Sequence, residues 1–191
     1  MFKTSIEKQY FVMRHLIAIV LLMTSGLMFG QDIENEAFFG VKTPDGAANN
    51  PEVPDVYSTA STFKKIVVSR MKHNVDILEG LQQIVKEENI QNGVILTGIG
   101  SATGYHVHVV DNQTFPSENA FIKKDEPVDI TNISGYVFDG RVHAHITLSD
   151  EHMAIGGHLE PGTRVFTFCI VTMGILEEGT SLQRFDDKNL R

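Results

Sequence analysis

The chain has a single cysteine and no strongly basic segment. Cys169 stands alone among 191 residues, which excludes an internal disulfide. It lies inside the apolar run Val165–Val171, so we predict a buried, small apolar side chain rather than a reactive thiol. The formal net charge is −8. An acidic surface repels phosphate backbones, and this disfavours nucleic acid as a partner.

A phosphate-binding loop is also missing. The glycine-rich stretch Gly98–Gly104 is followed by no Lys-Ser or Lys-Thr pair and by no helix pattern, both of which such a loop needs. The glycines instead predict a tight or bulged connection, where one backbone approaches another, between strands at Val94–Thr97 and Tyr105–Val110.

The N-terminus has the pattern of a secretory signal. Arg14 and His15 precede the apolar run Leu16–Phe29, which is shorter than the roughly 18 residues that span a bilayer. We predict a signal peptide over 1–30 and an exported, periplasmic or secreted, protein with no stable membrane span after cleavage. An uncleaved N-terminal anchor is the alternative, and Met1 and Met13 are both candidate starts.

One domain is expected over 63–176. A predicted helix begins near Asn74, taken as its cap, with Asp76 in the first turn. One helix stripe collects the apolar side chains of Ile77, Leu78, Leu81, Ile84 and Val85. With strands at 65–70, 94–97, 105–110, 128–137 and 163–175 and the hairpin described next, these patterns predict one amphipathic helix packed on a β-sheet.

Turn formers and charges predict less ordered segments around this domain. Range 31–62 reads as a linker or loosely docked arm, 116–127 as polar and turn-rich, and 177–191 as a charged tail that frays.

A hairpin over 140–159 carries the candidate site. His143 and His145 share one strand face, and His158 lies on the polar face of the following strand, because side chains alternate along a strand. With a four-residue loop over 149–152, Leu148 pairs with Met153, His143 lies opposite His158, and His145 lies opposite Gly156. Gly156 would leave room in front of His145.

Three imidazoles at one place are ligands that zinc and similar divalent ions prefer, and they leave a fourth position for water or a small-molecule substrate. We therefore predict a metal site, with zinc as the expected ion, at His143, His145 and His158. The alternative interpretation is that these are three half-exposed histidines on a polar face that bind no metal.

Four further residues are candidates for related roles. Glu160 is a candidate general base or outer-shell partner, and Arg141 is a candidate anion contact; both are also explained as solvated charges. His106 and His108 share a face of another strand, and solvated polar residues explain them better than a second metal pair.

The segments Gly140–Asp150 and Gly156–Leu159, followed by an apolar strand, resemble the PPC domain, the plant and prokaryote conserved domain also found beside AT-hooks in plant nuclear proteins. The preceding helix and Val94–Gly100 match the opening half of that domain. The resemblance implies a compact α+β domain, a mostly antiparallel β-sheet packed with one main amphipathic helix, that assembles as a homotrimer. It also implies that the corresponding histidines, His143, His145 and His158, bind metal.

Two other functions stay open. The chain could be a non-catalytic trimerisation or ligand-binding module with incidental histidines, or a DNA-binding protein like the AT-hook relatives. It has no Arg-Gly-Arg-Pro hook and is acidic, which argues against DNA. A cupin is a rival fold, because His143, His145, Asp150 and Gly157 partly match the cupin metal motif; the central helix argues against it.

Export makes a prediction about the mature N-terminus. Mass spectrometry of the exported protein should find a chain beginning at Leu27 or Gln31, after the two acceptable cleavage points. An intact N-terminus at Met1 or Met13 in the exported fraction would contradict cleavage.

Overall fold

The computed structural model describes residues 37–39, 53–113 and 117–186, which belong to one compact unit. The predicted signal peptide, both candidate start methionines, most of the predicted arm and the end of the tail at 187–191 lie outside the described residues. Within the described ranges, no helix has the length and apolar character needed to cross a membrane.

Eight strands, one α-helix and one 3₁₀ turn make up the described chain. The strands are β1 Ala37–Phe39, β2 Phe63–Lys72, β3 Gly93–Val110, β4 Asn119–Lys124, β5 Val128–Phe138, β6 Arg141–Ser149, β7 Ala154–Leu159 and β8 Arg164–Leu176. The helix is α1 Ile77–Glu87, and the 3₁₀ turn is Gln183–Asp186. All strand pairings are antiparallel, which confirms the predicted α+β class with one helix.

Strand β3 is the hub of the sheet. Its first half pairs with β5 and β8, and its second half pairs with β4 and β7. Because β5 also pairs with β6 and β6 with β7, the four strands β3, β5, β6 and β7 form a closed circuit of hydrogen-bonded neighbours. The β1–β4 pair and the β8–β2 pair extend the sheet from opposite halves of β3.

The prediction of two strands joined by a glycine-rich connection was wrong: β3 is continuous over 18 residues. The bulged character was correct, since the pairing with β8 shifts register three times between Ile95 and Gly104. A methyl group on Gly100 would lie 2.1 Å from the carbonyl oxygen of Phe168, so only glycine allows this approach. Bulges bend a strand, which lets one strand serve different neighbours along its length.

The residue that caps helix α1 is Asp76, rather than the predicted cap Asn74. The Asp76 carboxylate accepts hydrogen bonds from the backbone N–H groups of Leu78 and Glu79, at 3.1 and 3.2 Å, which the first turn leaves unpaired. It also accepts one from the Gly162 N–H at 2.6 Å, which ties the helix start to the turn before β8. Asn74 instead adopts a left-handed conformation, φ 69°, in the turn before the helix.

The apolar stripe of α1 is confirmed. Ile77, Leu81, Ile84 and Val85 are buried, and the helix packs against β2, β6 and β8. The predicted burial of Cys169 is also confirmed: its side chain is fully buried, and burial raises the pKa of its thiol to about 12. The thiolate that a nucleophile needs is therefore absent at neutral pH.

Two segments are more ordered than the sequence indicated. The turn-rich range 116–127 contains β4, which turn formers flank on both sides but which is held by pairing with the second half of β3. The predicted tail also packs, because Leu182 is buried and its N–H donates to Asn92 Oδ1 at 3.1 Å. Tertiary pairing outweighs local propensity at both places.

Candidate metal centre

Strand β6 presents its histidines on the outer face of the sheet. Ala144, Ile146 and Leu148 are buried, whereas His143 and His145 alternate with them on the opposite face. The predicted alternation, apolar behind and polar in front, is confirmed. Because buried and outward side chains alternate along the strand, packing the apolar residues into the core directs the imidazoles outward.

The three predicted histidines lie together. Their ligand nitrogen atoms, one from each of His143, His145 and His158, all fall within 4.8 Å of one another. The ring of His158 stands perpendicular to the other two, with centroid distances of 4.7 Å to His143 and 5.4 Å to His145. His143 and His145 stack at 5.5 Å. The three rings thus surround a common space.

The predicted register is wrong by two residues. His145, not His143, lies opposite His158, and Thr147, not His145, lies opposite Gly156. Gly156 therefore does not leave room before His145; a methyl group there would lie 3.0 Å from the Ile146 carbonyl oxygen. Because side chains repeat every second residue, a two-residue shift keeps every side chain on its face, and the histidines still converge.

Asp150 causes the shift. Its carboxylate accepts hydrogen bonds from the N–H groups of His152 and Met153, at 2.7 and 2.8 Å, and its own N–H donates to the Met153 carbonyl at 3.0 Å. These bonds hold Met153 in the loop, so the loop runs over 150–153 and Ser149 pairs with Ala154.

Sequence reasoning missed a fourth histidine of the cluster. His108 on β3 lies opposite His158, on the side of β7 away from β6. Its Nδ1 atom lies 2.6 Å from Glu160 Oε1, and the ligand atoms of His108, His158 and Glu160 are also within 4.8 Å of one another. The matching His-x-His spacing at 106–108 was the available signal, but the strand that would lie beside it could not be read from the sequence.

His106 does not join the cluster. Its Nδ1 donates to the carbonyl of Pro161 at 2.9 Å, and its backbone N–H donates to Thr163 Oγ1 at 3.0 Å. The favoured interpretation, two polar residues on a solvated face, therefore does not describe His108, which is half-buried beside Glu160. His106 ties β3 to the turn before β8, and His108 meets the candidate ligands.

The two candidate catalytic residues have different surroundings. Glu160 is half-buried and paired with His108, so it is not a plain solvated charge. Arg141 is 61% exposed and forms an ion pair with Asp186, whose carboxylate also lies 3.8 Å from His143 Nδ1. Asp186 belongs to the segment that was predicted to fray, which is why the sequence did not reveal it.

Burial keeps the three imidazoles neutral. Burial is the main cause that lowers the pKa of His143 and His145, and it lowers that of His158 to about 4. The positive charge of the neighbouring histidines acts in the same direction, and for His158 it is opposed by Glu160. Neutral imidazole is the form that binds metal, so the cluster has its ligands ready at neutral pH.

The donor set fits a divalent metal ion. Nitrogen ligands at 2.0–2.1 Å around one tetrahedral ion lie roughly 3.4 Å apart. Donor atoms that already fall within 4.8 Å can reach this spacing by small side-chain rotations. His143, His145 and His158 are the residues that could hold such an ion.

A segment of one curated protein is similar in sequence to this chain. The bifunctional protein GlmU of Synechococcus sp. strain JA-2-3B'a(2-13) is 25% identical over 121 residues, which are 63% of this chain and 18% of that protein. The chain thus spans less than a fifth of the length of that curated relative.

Two solved structures share the architecture. A metal-containing protein from Archaeoglobus fulgidus superposes with a TM-score of 0.57 at 21% identity, over 64% of this chain and 86% of that one. A plant- and prokaryote-conserved (PPC) protein from Pyrococcus horikoshii gives 0.56 at 21% identity, over 66% and 87%. The model of the Plants and Prokaryotes Conserved (PCC) domain, the family that the histidine segments resemble, matches residues 58–177, and the chain belongs to that family.

Proposed function

We propose that this protein binds a divalent metal ion, zinc, through His143, His145 and His158, and that it does so as an exported homotrimer. The observation that carries the proposal is the convergence of three ligand nitrogens within 4.8 Å on one outward sheet face. A three-histidine set suits zinc because imidazole is a preferred zinc ligand and leaves one position open. The metal-containing relative from Archaeoglobus fulgidus supports the same function.

The open position points to a small-molecule ligand. A zinc ion held by three imidazoles lowers the pKa of bound water and polarises carbonyl groups. Beside the three histidines, Glu160 pairs with His108, and Arg141 pairs with Asp186, whose carboxylate lies close to His143. We propose that Glu160 and Arg141 orient and contact a small substrate or ligand. A non-catalytic ligand-binding module uses the same residues without turnover.

Metal content tests the site directly. Purified wild type, separated from free and weakly bound metal by gel filtration, should carry about one tightly bound zinc per chain, and His143→Ala or His158→Ala should lower the content of this tightly bound zinc at least tenfold. Losing one of three imidazole ligands removes a coordinate bond, and the two remaining imidazoles hold the ion far more weakly. Elemental analysis gives the count.

His152→Ala is the matched control, because His152 is an exposed histidine of the hairpin loop, 80% accessible, whose fixed contact with Asp150 is through its backbone. It should keep the wild-type metal content. Wild type without metal, or unchanged content in both cluster variants, would contradict the site.

The lowered histidine pKa values predict how metal affinity varies with pH. Three ligands with an ordinary pKa of 6.5 would lose about 10³-fold in affinity between pH 7.5 and 5.5, because protons then compete at each imidazole. Here the pKa of each ligand is lowered, that of His158 to about 4, so protons compete only at lower pH.

We therefore expect a smaller loss of affinity over this interval, because protons compete at His158 only as the pH falls towards about 4 and compete at His143 and His145 only below their ordinary range. Competition with a chromophoric chelator of known proton affinity measures it. A loss of 10³-fold or more by pH 5.5 would show ordinary, unshifted histidines.

An exposed apolar surface supports the homotrimer. Ile66, Val68 and Ile99 are 50%, 68% and 51% exposed on the outer face of β2 and β3. On β8, which lies between those two strands, the half-buried Ile170 pairs with Ile99 of β3 and with Arg70 of β2. We call Ile66, Val68, Ile99 and Ile170 the apolar sheet face. Exposed apolar patches mark association surfaces in soluble proteins, and here we assign the surface to contact between copies of this chain.

Sedimentation equilibrium tests the assembly. The wild-type protein should sediment at three times the chain mass, and Val68→Glu should shift it to the monomer, because a carboxylate at the contact loses its hydration without gaining a partner. Val110→Glu is the matched control, since Val110 is 66% exposed at the far end of β3 and outside the apolar sheet face. A monomeric wild type, or a trimeric Val68→Glu variant, would contradict the assignment.

A further inference from the structure

The cluster contains five candidate ligand groups, those of His108, His143, His145, His158 and Glu160. Three of the histidines lie directly side by side across neighbouring strands: His145 on β6, His158 on β7 and His108 on β3. His158 is the middle member of this row, with one histidine neighbour on each side.

The ligand atoms accordingly fall into two overlapping groups. One is His143, His145 and His158, and the other is His108, His158 and Glu160; within each group the ligand atoms lie within 4.8 Å of one another. His158 is common to both. Its ring centroid lies 4.5 Å from that of His108 and 4.7 Å from that of His143, so it stands between the two groups.

We propose that His108, His158 and Glu160 form a second divalent-cation position beside the three-histidine centre. The inference rests on the proposed metal-binding function, because the two positions share His158. Occupation of both positions at once requires each ring nitrogen of His158 to bind one ion. When both nitrogens form metal bonds, the N–H bond of the ring breaks and its proton passes to the buffer.

Glu160 lowers the electrostatic cost of placing a second ion beside the first. Two dications close together repel each other, and a carboxylate among the ligands reduces that cost. Glu160 supplies the carboxylate on the side of His108, while the first group has only neutral ligands. Mixed nitrogen and oxygen ligands suit Zn²⁺, Co²⁺ and Mn²⁺. The His108–Glu160 hydrogen bond of 2.6 Å opens when the cation binds between the two groups.

Metal counting tests the proposal. The full-length protein, stripped with a chelator, is titrated with Co²⁺ and with Zn²⁺, and bound metal per chain is measured by elemental analysis after desalting and by calorimetry. Wild type should bind two ions per chain, the second more weakly. Glu160→Gln, which keeps the side-chain shape, and His108→Ala should each bind one.

His106→Ala is the control, because His106 lies two residues from His108 on the same strand and bonds the Pro161 carbonyl instead of the cluster. It should still bind two ions, and circular dichroism checks that each variant is folded. One ion in wild type and one in Glu160→Gln would overturn the second position and leave the three-histidine site standing. No ion in wild type would overturn both. Two ions in both cluster variants, or one in His106→Ala, would place the second ion elsewhere.

Discussion

The bend of β3 is the constraint on which the rest of the structure depends. A straight strand has two neighbours, whereas the bulged β3 has four, two along each half. The close approach at Gly100, where a methyl group would meet the Phe168 carbonyl, is what permits this path. As a result, the second half of β3 closes the circuit onto β7 and carries His108 to the side of His158.

A second close approach positions the other end of the cluster. A methyl group on Gly135 of β5 would lie 2.1 Å from the His143 carbonyl oxygen, so the backbone of β6 can run beside β5 only because this residue is glycine. Successive cross-strand pairs then place Val94, Tyr136 and His143 in one row on the outer face. The histidine cluster and the apolar sheet face therefore lie on the same side of the sheet.

The fold and the three-histidine cluster were largely predictable because both follow from periodicity. The alternation along β6 separates the core residues from the candidate ligands. The predicted hairpin register was wrong by an even number of residues, so every side chain kept its predicted face and the three histidines still lie together. The loop bonds of Asp150 decided that register, and no pattern of apolar residues contains them. The cap at Asp76 was missed for a similar reason, because Asn74 is an equally good cap by residue type.

The sequence by itself determined the α+β class, the helix stripe, the buried Cys169 and the outward face that carries His143, His145 and His158. These are local patterns, repeated every two or 3.6 residues, and they need no knowledge of distant neighbours. Only the tertiary structure decided that β3 is one strand, that Asp186 approaches His143, and that His108 and Glu160 join the cluster. The physical reason is that His108 and His158 are about fifty residues apart in the chain, and their contact is made by backbone hydrogen bonds between strands, which any residue can form.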